Sequence, residues 1–231
     1  MLKKERFRRF LDYFTQHYPE PQTELHFGNP YELLVAVILS AQCTDKRINQ
    51  ITPALFERFP TPESLAGSTV EEVFLYIRSV SYPNNKAKHL LGMARLLVGE
   101  YGGEVPATVE ALQKLPGVGR KTAHVITSVI FNQPTMAVDT HVFRVSKRLG
   151  LAAQTAMTPL AVEKQLMAYI PQQYVSKAHH WLILHGRYIC TARVPKCGEC
   201  PLTDFCRYYE KYVAKNKIGA EIPLVEIPAP D

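Results

Sequence analysis

Long apolar runs are missing from this chain. The longest, LLVAVILSA at 33–41, falls far short of the ~20 residues that cross a bilayer as a helix, so no membrane partner is expected. The opening MLKKERFRRF is charged and has no apolar stretch, so no secretory signal is read there. Segments with strand periodicity are few, which disfavours a β architecture. No repeat or low-complexity segment occurs, which excludes a solenoid or array. Tryptophan occurs once, at Trp181, and cysteine five times in 231 residues. That length suits one large domain or two small ones.

The scarcity of cysteine makes its distribution informative. Cys190, Cys197, Cys200 and Cys206 read C-x6-C-x2-C-x5-C, and only Cys43 lies elsewhere. Two disulfides in a secreted module are disfavoured, because the expected compartment is a reducing cytoplasm. Four thiolates so close together can close on one metal centre, either a tetrahedral zinc or a four-iron cluster, and spacing does not choose between them. Charge is equally uneven. Residues 141–217 hold twelve Lys and Arg against four Asp and Glu, a surplus of eight where the whole chain carries +6. A basic half beside a slightly acidic remainder suits a polyanion partner, most simply nucleic acid.

Most segments read as helix. Asn29-Pro30 starts one, apolar nearly all round and therefore buried. Thr44-Asp45 caps a second, with Pro53 expected to kink or split it. Thr61-Pro62 opens a short one. Thr69 with Glu72 forms a capping box for a fourth. Asn84 and Asn85 precede another, which stops at Gly102-Gly103. Thr108 opens the next, VEALQKL at 109–115, and further helices are read at 119–131, 139–149, 160–169 and 175–189. Residues 216–231, with three prolines and little periodicity, read as a mobile tail.

The segment LPGVGRKTA at 115–123 ends one helix, turns on Gly117 and Gly119, and starts another. The glycines permit a tight turn and close backbone approach, and the amides of a new helix make an anion site. Arg120 and Lys121 sit beside it. The arrangement is a helix-hairpin-helix, which grips a phosphate without reading sequence. The alternative is a tight corner with no ligand.

LPGVGRKTA, AVDTHVFRV at 137–145, HHWLILHGRYIC at 179–190, SAQCTD at 40–45 and the cysteine spacing together resemble the endonuclease III family of helix-hairpin-helix DNA glycosylases, over roughly residues 23–206. The resemblance implies an all-α fold of two helical domains with DNA in the cleft between them. Residues 24–133 would form a six-helix barrel with the hairpin at 108–124. Residues 1–23 and 134–211 would form the cluster domain, leaving 212–231 as the tail. It also implies a [4Fe-4S] cluster on the four cysteines, which decides against zinc. The implied partner is double-stranded DNA carrying damaged pyrimidines or abasic sites, handled by a monomer in the cytoplasm, associated with the nucleoid if bacterial.

The implied activity is base excision followed by β-elimination at the abasic site. Lys121 matches the family's nucleophile, whose deprotonated amine forms a Schiff base with the sugar C1′; in a generic hairpin it would only meet phosphate. Asp139 matches the second catalytic residue, a carboxylate that stabilises oxocarbenium-like charge and moves protons; it also reads as a helix cap, as Asp45 does. Gln42 matches the residue that fills the gap left by an extruded nucleotide. Tyr82 falls where the family has an apolar wedge, in Ser81-Tyr82-Pro83 rather than a Gly-Leu-Tyr-like turn; the departure leaves damage preference and strand discrimination open and does not touch the chemistry. Arg193 and Lys196, in the loop between the first two cysteines, are candidate backbone contacts. His141, His179, His180 and His185 read as core residues rather than a second metal site, and Trp181 as core. An adenine-mismatch glycosylase of the same superfamily is the nearest rival, disfavoured by Lys121. A non-catalytic DNA-binding module is the more distant one, disfavoured by Lys121 with Asp139.

Overall fold

The computed structural model of the protein describes residues 1–214. Eleven α-helices and one π turn succeed one another, with no strand among the described residues. They are α1 (Lys3–His17), α2 (Pro30–Ser40), α3 (Asp45–Arg58), α4 (Pro62–Ala66), α5 (Val70–Ile77), α6 (Pro83–Tyr101), α7 (Val109–Leu112), α8 (Arg120–Val129), α9 (Thr140–Leu149), α10 (Pro159–Met167), α11 (Gln172–Tyr188) and the π turn Tyr209–Val213. None of these helices is long and apolar enough to cross a membrane. The backbone gathers into two units: Thr23–Gln133, and Met1–Gln22 with the described residues from Pro134 onward.

In the unit Thr23–Gln133, α2 is the axis of the core. Leu33 to Leu39 are all buried, and burying each larger side chain among them contributes about 1.5–3 kcal/mol. The helix begins where Asn29 Oδ1 accepts the Glu32 amide at 2.9 Å and Pro30 supplies its first residue. Around it, α3 to α8 each turn an apolar face inward, through residues such as Ile48, Leu65, Ile77, Leu90 and Ile126.

Four local features differ from the sequence expectation. Pro53 does not split α3, which runs unbroken through it; Pro53 is exposed, while Ile48, Thr52 and Leu55 keep the opposite face buried, and one lost rung is tolerated. α6 starts at Pro83 rather than after Asn84 and Asn85, because Pro has a helical φ already set and no N–H to lose. The capping box of α5 is half formed: Thr69 Oγ1 accepts the Glu72 amide at 3.2 Å, but the Glu72 carboxylate turns to the Ser68 hydroxyl at 2.7 Å and to Arg58. α7 is only four residues long.

The other unit owes its composition to α1. Phe7, Phe10 and Phe14 are buried with Trp181, Val145, Leu182 and Phe205 in one cluster. The Arg6 guanidinium donates to the Phe205 and Leu149 carbonyls, and the Trp181 indole N–H donates to the Tyr18 carbonyl at 2.7 Å. The N-terminal helix is therefore bound to the distant half of the sequence. α9 and α11 approach closely, since a Cβ on Gly186 would come within 2.9 Å of His141 Cβ. Of the segment 212–231 expected as a tail, Tyr212 and Val213 instead close the π turn, packed against this core; residues 215–231 lie outside the described residues.

Candidate functional site

The hairpin is built as its sequence suggests. Thr108 Oγ1 caps α7 by accepting the Ala111 amide at 3.2 Å. Val118, buried, anchors the turn and donates its amide to Leu115. Gly117 has φ +80°, which L side chains rarely adopt. A Cβ there would lie 2.9 Å from His89 Cβ, so the glycine is required twice over. Gly119 is different: it is the N-cap of α8 with φ −84°, and a Cβ there would meet nothing within 4 Å. The first intrahelical rung runs from the Ala123 amide to the Gly119 carbonyl. The amides before it belong to the electropositive end of α8. Arg120 and Lys121 are exposed in that first turn.

Asp139 belongs to the other unit and caps α9. Its Oδ1 accepts the Val142 amide at 2.8 Å. Buried residues Met136 to Val138 lead into it and Val142 to Leu149 follow, so the carboxylate stands at a fixed point on a rigid backbone.

Gln42 and Tyr82 share an unusual backbone. Both have positive φ, +56° and +55°, and Tyr82 is 63% exposed. The two turns are bonded together. The Ser81 hydroxyl donates to the Gln42 carbonyl at 2.8 Å, and the Ser81 amide donates to Cys43 Sγ at 3.1 Å. The Lys86 ammonium, buried, donates to the Ala41 carbonyl at 2.6 Å and the Leu39 carbonyl at 2.9 Å. The sequence places Ser81 in the wedge turn but shows no bonding role for it or for Lys86.

All four clustered cysteines are free. Cys206 is buried in the aromatic core and the other three are packed against it. Burial pushes the Cys206 thiol up to about 12 and the Cys200 thiol up to about 11, so thiolates at these two positions need a positive partner. No three His, Cys, Asp or Glu among the described residues are gathered to hold a single metal ion. A donor set of four cysteine thiols packed against one core suits a four-iron cluster held by protein thiolates. The loop that carries Arg193 and Lys196, both exposed, is clasped to α9. Arg148 donates to the Thr191 and Ala192 carbonyls at 2.7 and 2.8 Å and reaches Cys190 Sγ at 3.5 Å; Arg144 donates to the Cys190 carbonyl at 3.1 Å. These two arginines were not foreseen, although their i, i+4 spacing puts them on one face of α9. His179, His180 and His185 are buried in α11, and Trp181 stacks on Phe14 at 5.5 Å, so all four are core residues.

Comparison with known proteins completes the description. The model for the HhH-GPD superfamily of base excision DNA repair proteins matches residues 35–172, and that for the iron-sulfur binding domain of endonuclease III matches residues 190–206. The endonuclease III of Rickettsia prowazekii (strain Madrid E) is 48% identical over 87% of this chain and 94% of its own. That of Escherichia coli (strain K12) is 43% identical over 91% of this chain and 99% of its own. Among solved structures, a trapped endonuclease III–DNA covalent intermediate superposes with a TM-score of 0.84 at 47% identity, covering 90% of this chain and 97% of that one. A thermostable thymine-DNA glycosylase superposes with a TM-score of 0.81 at 24% identity, over 90% and 98% of the two chains, a likeness of fold.

Proposed function

The chain belongs to the endonuclease III family within the HhH-GPD superfamily, and from that premise we propose that it excises oxidised pyrimidines from duplex DNA and cleaves the resulting abasic strand through an imine on Lys121. The observation that carries this reading is the position of Lys121. It is an exposed amine in the first turn of a helix whose preceding hairpin is shaped to receive a phosphate. A lysine so placed is brought to the sugar by the same contact that fixes the DNA backbone.

The steps follow from the residues. The Lys121 amine attacks C1′; the C–N bond to the protein forms as the bond to the base breaks, and the base leaves with a proton. Asp139 balances the positive charge that develops on the sugar and moves protons as the ring opens to the imine. The imine acidifies the C2′ position, and loss of that proton expels the 3′ phosphate by β-elimination. Gln42 and Tyr82 fill the space left by the extruded nucleotide, Tyr82 by stacking its ring. Gly117, Gly119, Arg120, Arg193 and Lys196 hold backbone phosphates. In this reading the unit 23–133 is the barrel domain, and the protein works as a monomer among the DNA of the cytoplasm. Cys190, Cys197, Cys200 and Cys206 would hold the [4Fe-4S] cluster, whose iron–thiolate bonds would lock the loop bearing Arg193 and Lys196 and would leave the excision chemistry to Lys121 and Asp139.

The test is borohydride trapping. Added during reaction with duplex DNA holding one abasic site, it should freeze a covalent adduct that peptide mapping assigns to Lys121. Lys121→Gln should abolish both the adduct and strand nicking. Nicking by that variant at the wild-type rate would reduce the lysine to a phosphate contact.

A further inference from the structure

Lys86 has no place in the excision chemistry, yet few residues here are as costly to bury. It is 5% exposed, and a buried ammonium persists only where its donors are satisfied. Its acceptors are the Leu39 and Ala41 carbonyls at 2.9 and 2.6 Å, at the C-terminal end of α2, where the helix dipole favours a cation. It also reaches Cys43 Sγ at 3.8 Å. Lys86 is itself in the first turn of α6, which begins immediately after Tyr82. The ammonium thus ties the end of α2, which leads to Gln42, to the start of α6, which leads from Tyr82.

Ser81 and Cys43 close the other side of the same junction. The Ser81 hydroxyl donates to the Gln42 carbonyl at 2.8 Å, and its amide donates to Cys43 Sγ at 3.1 Å. Burial pushes the Cys43 thiol up, but the Ser81 amide and hydroxyl and the Lys86 ammonium outweigh it, and the thiol lies below its ordinary value. The sulfur accepts from the Ser81 amide and the Lys86 ammonium, and the thiol donates to the Ser81 hydroxyl oxygen at 3.5 Å. Between them these three side chains bracket two non-glycine residues in the left-handed region, Gln42 at φ +56° and Tyr82 at φ +55°. Such conformations persist where the surroundings impose them, and they cluster at functional sites.

We propose that Lys86, Cys43 and Ser81 form a latch that holds Gln42 and Tyr82 as one preorganised pair for entry into the DNA duplex. The three are positioning residues for lesion recognition, and they touch no reacting atom. The latch matters because filling a vacated stack with two residues on separate turns requires both to be ordered at once. Holding them together beforehand removes that cost from the encounter. It would also explain how a tyrosine replaces an apolar wedge: its backbone, not its side-chain type, is what the site fixes. The proposal rests on the reading that Gln42 and Tyr82 enter the duplex.

The experiment measures affinity by fluorescence anisotropy for a duplex with a tetrahydrofuran abasic analogue and for the undamaged duplex of the same sequence, using the cluster-loaded protein. The analogue has no aldehyde, so imine chemistry does not enter. Ser81→Ala and Cys43→Ala should each lower the ratio of the two affinities by about tenfold, as expected when two side chains must be ordered during binding. Ser81→Thr, which keeps the hydroxyl, should retain the ratio. A general loss of folded protein would lower both affinities alike and leave the ratio unmoved. Lys86→Met should lower it at least as far; if that variant does not fold, the Ser81 and Cys43 variants carry the test. An unchanged ratio in Ser81→Ala and Cys43→Ala, while Gln42→Ala or Tyr82→Ala lowers it, would overturn the latch alone. An unchanged ratio in all four would overturn the latch together with the duplex-entry reading.

Discussion

The two hairpin glycines look alike in sequence, but the structure gives them unequal burdens. Gly117→Ala meets two penalties. The left-handed backbone at φ +80° costs an L residue about 1–2 kcal/mol. The new Cβ, 2.9 Å from His89 Cβ, adds an overpacking cost of about 1–3 kcal/mol. A total near 3 kcal/mol, at a urea slope of about 2 kcal/mol/M, lowers the unfolding midpoint by about 1.5 M. Gly119→Ala meets neither, since its φ is −84° and the space beyond it is open; exchanging Gly for Ala at an N-cap costs under about 1 kcal/mol. The assay is urea unfolding followed by helical circular dichroism, with DNA affinity measured in parallel. Affinity should fall in both variants and equally for every sequence, because backbone meets phosphate. Stability should fall substantially in Gly117→Ala alone. His89→Gly supplies the internal control. It costs about 1 kcal/mol in a helix, yet combined with Gly117→Ala it should return the overpacking share and leave only the backbone share. Strict additivity of the two changes, or equal destabilisation by the two alanines, would refute the reasoning.

Other consequences are open to direct measurement. Asp139→Asn should slow base excision by orders of magnitude while leaving the helical stability nearly unchanged; stopped-time assays and thermal unfolding on one preparation check both. Affinity for undamaged duplex should fall steeply between about 50 and 200 mM salt, as phosphate contacts release counterions, and Arg193→Ala or Lys196→Ala should each make the log–log slope shallower by about one. Anaerobically purified protein should be brown with about four irons per chain, and Cys206→Ser should lose both iron and the cooperative unfolding of its unit, since ligation and folding are coupled. Burial, helped by Arg187, holds His180 at about 4, against an unfolded value near 6.5. The folded state then binds fewer protons between those values, so stability is fully present above pH ~6.5 and is lost as pH falls toward 4. Unfolding midpoints of the wild type should therefore drop more over that range than those of His180→Gln.

Legibility in the sequence followed the kind of interaction. Elements set by neighbours along the chain were readable: Asn29-Pro30, Thr61, Thr108 and Asp139 cap the helices they precede, because a cap is a bond over three residues. Where two local signals competed, the reading slipped. Pro83 overrode Asn84 and Asn85 as a helix start, and the Glu72 carboxylate found Ser68 and Arg58 in place of the Thr69 amide. Bonds between distant residues left no local trace. Nothing in the string announces that Lys86 reaches back to Leu39 and Ala41, or that Arg148 clasps Thr191 and Ala192. A basic residue in a helix reads the same whether it faces solvent or a carbonyl pair. The candidate chemical residues are legible only by motif, since Lys121, Asp139 and the four cysteines each stand in a run too specific to arise from helix patterning.

Asp139 illustrates why such a residue resists reading from either side alone. As a cap it needs only an oxygen that accepts the Val142 amide at 2.8 Å, and Asn or Ser would serve about as well. As a charge it needs to be ionised and aimed, and neither Asn nor Ser supplies that. The structural role is thus met by several residue types and the chemical role by one. The cap bond commits one carboxylate oxygen to the backbone and fixes the direction of the other, so in the role proposed for Asp139 local folding would supply the orientation. The proposed reacting group would thus be held by the start of a helix rather than by a free loop.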